Sequence, residues 1–454
     1  MPARPLTPLP IPARIADASV RFGPILVLAV LPFAIPFRLE APVVGQRFFF
    51  EIASLSLLSI WLLCSSIAPV SIRPFDFCAF FVLLEAVFVL ASALASNDRS
   101  ASLDRSILGF AGAGSFFLLR ARGMTRPLFP PIALLLTCQA GVLSLYGIAQ
   151  RCGFEILPYE GAFQKNRVVA TLGHPNFFGS FAGPIVFLAA ASAVGARRKT
   201  IRIIAAGSAI LTASALFFAR AHAAWLGFAA GALVVVILVL IRAARDGAGQ
   251  RTVRGKMARL ALGALMVLVL IAIPAISHFE SLRPVPRGAN LESRIYYWRI
   301  AAELHPASSL VGAGAGGFAR DYWSLLDRHQ SSEEGRLFVR NLGAMIGKDQ
   351  RALAPGNVHD DYLEIWAEAG PIALFAHLAL AAYLVLHAAR DLLRRSSLPP
   401  EGFSNWLPKT LLLAAFVSML IDAALGFPLA LPASLALFWC LAAMLDRQIR
   451  EGGV

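Results

Sequence analysis

The sequence predicts an all-α, polytopic membrane protein with about 12 transmembrane helices. Apolar residues make up 57% of the 454 residues and charged residues only 15%, whereas soluble domains carry about 25% charge. Apolar runs of roughly 20 residues recur from end to end, as helices that cross a bilayer require. The five cysteines show no pairing pattern, so the sequence predicts neither a disulfide framework nor a zinc site.

Twelve spans divide the chain into three parts. The predicted spans are residues 22–37, 48–70, 76–95, 106–119, 131–149, 174–194, 203–219, 222–241, 260–277, 362–388, 410–427 and 428–445. The predicted organisation is a membrane domain at 1–277 with spans one to nine, a long extracytoplasmic loop at 278–361, and a membrane domain at 362–454 with spans ten to twelve. The first span lacks a cleavage site, so we expect a retained signal-anchor.

Basic residues in alternate loops predict the orientation. They are Arg73; Arg120, Arg122 and Arg126; Arg197, Arg198, Lys199 and Arg202; Arg242, Arg245, Arg251, Arg254, Lys256 and Arg259; and Arg390, Arg394, Arg395 and Lys409. The positive-inside rule puts these loops, and with them both termini, in the cytoplasm. The net charge of +14 is therefore mostly a topology signal, and we expect no nucleic-acid partner.

The long loop faces the other side and is predicted to carry amphipathic helices. A helix from Leu291 to about Leu304 would place apolar side chains on one stripe. The stripe consists of Leu291, Ile295, Trp298 and Ala302. It can lie on the membrane surface or on other helices. Arg294 falls at its edge, so we expect this side chain to face protein or lipid headgroups.

His359 is the first candidate catalytic residue. It lies in Val358-His359-Asp360-Asp361-Tyr362-Leu363, where the polar loop meets span ten. Ionisable groups at a membrane boundary are costly to keep there, which marks them as functional candidates. An imidazole can take a proton from a sugar hydroxyl, and Asp360 or Asp361 could orient the ring. The alternative is a helix-cap or interfacial histidine without a chemical role.

Arginines on the same side predict a phosphate site. Arg220 lies in a very short turn between spans seven and eight, where a guanidinium can bind phosphate in a bidentate manner. The other candidate cations are Arg294 and Arg299 in the long loop, and Arg151, Lys165 and Arg167 between spans five and six. A membrane-bound diphosphate would suit such a ring. The alternatives are a snorkelling helix end for Arg220 and general headgroup attraction for the rest.

Three further features are open to two interpretations. Gly173-His174-Pro175-Asn176 opens span six, where Asn176 fits a helix cap better than catalysis. Gly312 to Gly317 contains a GxGxxG match, but no strand precedes it, so we expect tight loop packing rather than a dinucleotide site. Glu85 and Asp422 lie inside spans and would either form a proton or ion path or find a buried partner.

These segments resemble the O-antigen ligase family, a group that also holds O-antigen polymerases and bacterial protein O-oligosaccharyltransferases. The similar stretches are Ala219-Arg220-Ala221-His222-Ala223-Ala224-Trp225-Leu226-Gly227; Tyr297-Trp298-Arg299 with Leu310-Val311-Gly312-Ala313-Gly314, Phe318 and Tyr322; and His359-x-x-Tyr362-Leu363-x-x-x-x-Glu368-x-Gly370. Gly173-His174-Pro175-Asn176 also looks like a family motif. Departures are Ala219 and Ala221 for Ser and Gly, Ser309 for Pro, and Asp360 for Asn. The resemblance covers about residues 140–390.

The resemblance implies a GT-C-like membrane glycosyltransferase of the bacterial inner membrane, with its active site facing the periplasm. The implied donor is an undecaprenyl-diphosphate-linked glycan, the acceptor is a sugar hydroxyl of lipid A–core, and no cofactor or metal takes part. His359 would be the general base or a close acceptor contact, and Arg220 and Arg294 would bind the diphosphate. The further substrate-binding candidates are Arg151, Lys165, Arg167, His174, Asn176, Trp298, Arg299, Asp361 and Glu368.

Other activities remain open at this point. A polymerase would use the same donor with a second lipid-linked glycan as acceptor. A protein O-oligosaccharyltransferase fits less well, because those chains often carry an added C-terminal extracytoplasmic region, and here nine residues follow the last predicted span. A small-anion transporter is the alternative from another class, although two intramembrane carboxylates without a matching pair of broken helices support it poorly.

Overall fold

The computed structural model describes residues 10–35, 42–67, 76–125, 129–155, 166–245, 289–304, 309–333, 335–337, 340, 356–394 and 401–452. Within these ranges the regular structure is helical and there is no strand, so the all-α prediction is confirmed. The α-helices are α1 (Ile11–Val30), α2 (Pro42–Ile67), α3 (Phe77–Ala95), α4 (Arg99–Thr125), α5 (Phe129–Arg151), α6 (Pro175–Gly195), α7 (Lys199–Ala219), α8 (His222–Arg245), α9 (Ala289–Leu304), α10 (Gly317–His329), α11 (Asp361–Ala369), α12 (Pro371–Arg394), α13 (Glu401–Ala423) and α14 (Pro432–Gly452).

The prediction of a polytopic membrane protein is also confirmed. Among the described residues, nine helices are long and apolar enough to cross a membrane: α1 to α3, α5 to α8, α12 and α13. Helices α4 and α14 correspond to predicted spans four and twelve and pack within the same bundle, although charged residues lower their hydropathy. Predicted span nine, 260–277, lies outside the described residues.

Span ten is not one helix, contrary to the prediction of a single span at 362–388. Helix α11 ends at Ala369 and α12 begins at Pro371. Between them Gly370 has φ of +96°, and a Cβ there would lie 2.5 Å from the carbonyl oxygen of Leu310. A left-handed residue and a following proline both interrupt a helix, and glycine also permits this close backbone contact.

Helices α6 and α13 form the centre of the bundle. They pack against each other, and α13 also packs on α8 while α6 packs on α7. Residues along both helices are mostly buried, in contrast to the lipid-exposed faces of α2 and α3. The core continues through α14, where Leu437, Phe438 and Leu441 are fully enclosed. A helix that is apolar all round is expected to occupy such a central position.

A second, smaller core joins α9, α10 and α11 at one end of the bundle. Helix α9 contributes Tyr297, Ile300 and Ala301 to it. The predicted stripe on this helix packs less closely, because Ile295 and Ala302 are exposed, although Trp298 touches this core; the side chain of Leu291 lies outside the described part. Tyr297, Ile300 and Ala301 are buried instead, because they pack with Phe318, Tyr322 and Leu326 of α10.

The other end of the bundle holds a cluster of ion pairs. Asp76 caps α3 and pairs with Arg120 of α4 and with Arg450 of α14, the latter at 3.1 Å. Arg450 also pairs with Asp446. Helix α4 begins near the glycine-rich loop, where Ser102 lies next to Gly314. It ends near this cluster of ion pairs, to which it contributes Arg120. Arg120, one of the basic residues predicted to share one face, therefore lies towards the other end of α4 from Ser102 and Gly314.

Candidate active site

His359 occupies a loop that is held on both sides. Its backbone is left-handed, with φ of +63°, which is unusual for a residue other than glycine. On one side Glu364 accepts hydrogen bonds from the Val358 amide at 2.8 Å and from the Asn357 side chain at 3.0 Å. On the other side Asp360 caps α11. These anchors hold the strained residue in place, a feature that is common at functional sites.

The imidazole of His359 lies between two aromatic rings. Its centroid is 6.0 Å from that of Tyr297, in a stacked arrangement, and 4.7 Å from that of Phe427, edge to face. Its Nδ1 is buried and has no hydrogen-bond partner among the described residues. Burial, together with the charges of Arg294 and His174, lowers the pKa of His359 to about 4. The ring is therefore neutral at pH 7 and can accept a proton or a hydrogen bond.

The two aspartates that follow His359 do not orient its ring, contrary to the sequence-based suggestion. Asp360 accepts the Leu363 amide at 3.0 Å as the cap of α11. Asp361 is buried and accepts the Leu429 amide at 2.9 Å, which ties the segment before α14 to α11. Short acidic side chains at a helix start find backbone donors more readily than a neighbouring ring.

Arg294 approaches the same region from α9. Its Nη1 donates a 2.6 Å hydrogen bond to the carbonyl oxygen of Leu425, at the end of α13. Burial lowers its pKa, and the nearby carboxylate of Asp422 opposes that shift. The guanidinium nevertheless stays charged at pH 7, and its charge acts on His359. Its predicted position at the edge of the helix stripe agrees with this half-buried setting.

Arg220 lies in the turn between α7 and α8. It has φ of +52° and ends α7, so that α8 begins only two residues later. Arg167 braces this turn by donating from Nε to the Ala219 carbonyl oxygen at 2.8 Å and from Nη2 to that of Arg220 at 2.9 Å. Burial and the charge of Arg220 lower the pKa of Arg167 to about 10. Arg167 and Arg220 therefore both lie at the C-terminal end of α7.

His174 connects these cations to His359. Its Nδ1 accepts the Asn176 amide at 3.1 Å, so His174 caps α6, and Asn176, to which the sequence assigned a capping role, lies inside the helix. Burial and the charge of Arg167 lower the pKa of His174 to about 4. Its ring lies 5.0 Å from Phe177, which lies 5.7 Å from Phe427. A row of rings therefore runs from the α7–α8 turn to His359.

Four predicted substrate-binding residues remain: Arg151, Lys165, Trp298 and Arg299. Arg151 stacks over Phe218, 4.6 Å from the ring centroid, and donates to the carbonyl oxygen of Asn166, which places it beside the α7–α8 turn. Trp298 is half-buried, and Arg299 is exposed on α9. Lys165 lies outside the described residues. The roles in substrate binding that the sequence predicts for these residues stay predictions.

Glu368 and the glycine-rich loop form one unit. The carboxylate accepts the Gly316 amide at 2.7 Å and the Phe318 amide at 3.0 Å, at the start of α10. Burial raises its pKa. Gly312 lies directly on the Glu368 backbone, where a Cβ would clash with the carbonyl group. The glycines pack the loop tightly, as predicted, and both carboxylate oxygens of Glu368 already have backbone partners.

Sequence reasoning missed Phe177 and Phe427, and it named Tyr297 and Asp422 without placing them beside His359 and Arg294. Tyr297, Phe177 and Phe427 separate the charged groups, and Asp422 lies next to Arg294. The signal for Asp422 was present, because a carboxylate inside an apolar span needs a partner. In the described part of the chain, no three His, Cys, Asp or Glu side chains are placed to hold a metal ion.

The comparisons with known proteins agree with the motifs. No curated protein matches the chain. A family model described as O-antigen ligase matches residues 207–378, which include Arg220, Arg294 and His359. The match stops before Asp422 and begins after Arg167 and His174. Over residues 207–378 the chain is therefore similar to the O-antigen ligase family, the family that its motifs also resemble.

Proposed function

We propose that this protein is an O-antigen ligase, which transfers a glycan from undecaprenyl diphosphate to a sugar hydroxyl of lipid A–core. The family match supports an O-antigen ligase-type membrane glycosyltransferase in general, and the apolar helices support a multi-pass membrane protein. The donor, the acceptor, the periplasmic orientation of the site and the inner-membrane location are our own inferences. The donor and acceptor rest on the cluster around His359, the orientation rests on the basic residues of alternate loops, and the inner-membrane location rests on the family resemblance.

One observation carries the proposal. The neutral imidazole of His359 lies near Arg294, and a row of aromatic rings and His174 leads from it to Arg167 and Arg220. The Nδ1 of His359 is buried without a partner in the described structure, and Arg294 acts on its charge. Arg167 and Arg220 lie at the far end of the row. A base beside one guanidinium group, with two more further along, suits glycosyl transfer from a lipid diphosphate, because the arginines can hold phosphate oxygens while the base meets the acceptor.

The proposed reaction exchanges one C–O bond for another. The acceptor hydroxyl oxygen attacks the anomeric carbon of the donor sugar and forms the glycosidic bond. The bond between that carbon and the diphosphate oxygen breaks, and undecaprenyl diphosphate leaves with the electron pair. His359 takes the proton of the hydroxyl, while Arg220 and Arg294 offset the negative charge that develops on the leaving group. No other reactant is needed.

Binding of the donor would change the pKa of His359. In the free protein the charges of Arg294 and His174 contribute to the low pKa of His359. A bound diphosphate would neutralise much of this positive charge, so the pKa of His359 would rise towards neutral pH. A general base works best when its pKa is near the operating pH. His359 would therefore become a stronger base only when the donor is in place.

The deciding experiment is transfer of purified lipid-linked glycan to lipid A–core by the purified protein, with and without chelator. We expect activity that persists in chelator, because the arginines supply the positive charge. In cells, deletion should remove all long glycan from the lipopolysaccharide gel and leave lipid-linked polymer to accumulate. Core bearing a single repeat unit would instead identify a polymerase. Activity that chelator abolishes and a divalent ion restores would contradict the metal-free scheme.

A further inference from the structure

The connection between α13 and α14, residues 424–431, brings an aromatic ring against His359. The ring of Phe427 is half-buried, and its centroid lies 4.7 Å from that of the imidazole, edge to face. Tyr297 stacks on the same imidazole at 6.0 Å, so two aromatic side chains adjoin it. Tyr297 belongs to the segment that the family model matches, whereas the connection that carries Phe427 lies beyond that segment.

Two hydrogen bonds hold the connection on either side of Phe427. Before it, the carbonyl oxygen of Leu425 accepts a 2.6 Å hydrogen bond from Nη1 of Arg294 on α9. After it, the amide of Leu429 donates a 2.9 Å hydrogen bond to Oδ2 of Asp361 on α11. Phe427 lies two residues from each of these contacts, so the path of the backbone that carries its ring is fixed from both sides.

The contact made by Asp361 is enclosed within the protein. Asp361 is the first residue of α11 and is only 3% exposed. Burial raises the pKa of its carboxyl group well above the ordinary value, and the charge of Glu364 adds to this shift. A buried polar group that loses its partner destabilises the protein, so the Leu429 amide is a contact that the fold has to keep.

A second contact joins α11 to the same region. The hydroxyl of Tyr362 donates a 2.7 Å hydrogen bond to the carbonyl oxygen of Leu420, which lies in the last turn of α13. The segment that carries His359 and the segment that carries Phe427 are therefore tied together by consecutive residues at the start of α11. Movement of one segment relative to the other would break these hydrogen bonds.

A ring beside His359 affects the imidazole in two ways. It restricts rotation of the side chain, because packing limits the available rotamers. It also occupies space that water would otherwise fill, and loss of water disfavours the charged imidazolium. Burial is the largest cause of the pKa of about 4 for His359, ahead of the charges of Arg294 and His174. Phe427 supplies part of that burial.

We propose that Phe427 is a positioning residue that orients His359 and shields it from water, and that Asp361 is a positioning residue that acts through the Leu429 amide to hold Phe427 in place. Asp361 then has a task other than the contact with substrate that the resemblance implies. The effect on glycan transfer rests on the proposed function, whereas the effect on the imidazole does not.

Phe427→Ala removes the ring from His359. The matched control is Phe117→Ala, because Phe117 is also half-buried and edge to face with a ring, that of Phe116 at 5.5 Å, but lies on α4. Both variants lose one aromatic ring, so a general loss of packing would affect them alike. An effect that is specific to the imidazole should appear in Phe427→Ala alone.

Two substitutions of Asp361 separate positioning from contact with substrate. Asp361→Asn removes the charge but keeps an oxygen that can accept the Leu429 amide, whereas Asp361→Ala removes the acceptor. A positioning role requires only the acceptor, so Asp361→Asn should behave like the wild type and Asp361→Ala should behave like Phe427→Ala.

The imidazole can be observed without catalysis, by NMR of the detergent-solubilised protein with ¹³C-labelled histidine rings. His359→Gln identifies the signal. In the wild type this signal should show no inflection between about pH 5 and pH 8, because the pKa of His359 is about 4. Phe427→Ala and Asp361→Ala should each bring an inflection into this range, because water that reaches the ring stabilises the imidazolium. Phe117→Ala and Asp361→Asn should leave the titration unchanged.

A Phe427→Ala protein whose His359 stays neutral over this whole range would overturn the proposal. An Asp361→Asn protein that titrates like Asp361→Ala would overturn the part assigned to the Leu429 contact. The same measurement on a wild-type protein that transfers no glycan still tests the proposal, because an inflection in Phe427→Ala alone would then support positioning and contradict only the proposed function.

The purified transfer reaction tests the consequence for turnover. Phe427→Ala should lower kcat about tenfold and leave the KM for the lipid-linked donor unchanged. It should also move the acid limb of kcat/KM to higher pH, which a smaller fraction of folded protein would not do. Asp361→Asn should transfer glycan nearly as the wild type does. Loss of transfer by Asp361→Asn with an unchanged titration of His359 would assign Asp361 to substrate and overturn its positioning role.

Discussion

At the scale of single residues, His359 combines a strained backbone with an unpartnered ring nitrogen. General-base assistance contributes roughly 10²- to 10⁴-fold in rate. We therefore expect His359→Ala to lower glycan transfer by about this factor while donor binding persists, as measured by turnover and by direct binding of the lipid-linked glycan. His387→Ala, which removes a histidine near the other end of α12, is the control. A His359→Ala protein as active as the wild type would remove this residue from the mechanism.

The low pKa of His359 predicts a pH dependence. The base must be unprotonated, so activity is lost as the pH falls through its pKa. In the free protein that pKa is about 4, because of burial and the charges of Arg294 and His174. The acid limb of kcat/KM should reflect this value. The acid limb of kcat should lie at higher pH, because the bound diphosphate offsets the arginines. Coincident limbs in the two profiles would contradict this donor effect.

Arg220 tests whether shape or charge matters. Lysine keeps the charge but loses the fork of donors that matches a phosphate. We expect Arg220→Lys to lose transfer roughly 10²-fold, in donor KM or turnover, with expression little changed. Arg198→Lys, just before the other end of α7, should behave like the wild type. Near-normal transfer by both Arg220→Lys and Arg220→Ala would leave Arg220 as a snorkelling helix end.

At the scale of elements, three carboxylates of α11 each accept a hydrogen bond from a backbone amide of a neighbouring segment. Asp361 accepts from Leu429, Glu364 from Val358, and Glu368 from Gly316. The sequence predicts the acids but not this arrangement, because the donors are backbone amides far apart in the chain. The family resemblance assigned Asp361 and Glu368 to substrate, a role that remains a prediction beside their structural contacts.

Tight packing of the glycine-rich loop on α11 predicts a stability effect. A Cβ at Gly312 would clash with the Glu368 carbonyl group, whereas at Gly356 it would meet nothing within 4 Å. Overpacking against backbone costs about 1–3 kcal/mol. We expect Gly312→Ala to lower the Tm of the detergent-solubilised protein by several degrees and Gly356→Ala to leave it near the wild-type value. Equal Tm values would show that the loop yields without cost.

Helix boundaries mark where sequence reasoning succeeds and where it fails. Long apolar runs predict α3, α5, α6, α7 and α8 closely, because hydropathy alone defines their length. The break at Gly370 was missed, although Gly-Pro is a known helix interruption, because apolar residues continue on both sides. The buried stripe of α9 differs from the predicted one. Which of two neighbouring stripes is buried depends on partners from α10 and α11, and the local sequence does not identify them.

At the scale of the whole molecule, the separation of charged ends predicts the membrane orientation. Cys152 follows α5 and is exposed, close to the loops of the candidate site. We expect a membrane-impermeant maleimide to label intact spheroplasts, and Cys152→Ser to abolish the label. Cys138→Ser is the control, because Cys138 is exposed only within the apolar length of α5. Labelling that requires lysis would invert the topology and move His359 to the cytoplasmic side.

The sequence also predicts that distant motifs meet, but not how. Arg220, Arg294 and His359 come from separate segments, and their shared face follows from the alternation of spans. Their order, with His174 and a row of aromatic rings between the cations, depends on how α6, α9 and α13 cross. Side-chain packing determines such crossings, and no local pattern specifies it.

The arginines of the cluster rest on the carbonyl ends of helices. Arg167 binds the carbonyl end of α7, and Arg294 binds the carbonyl oxygen of Leu425, two residues after α13. Each helix end carries about half a negative charge, so the cations are partly compensated when no lipid is bound. A diphosphate must compete with these carbonyl groups, which limits how tightly it is held. If the protein acts as we propose, this arrangement favours release of undecaprenyl diphosphate after each turnover and limits inhibition by that product.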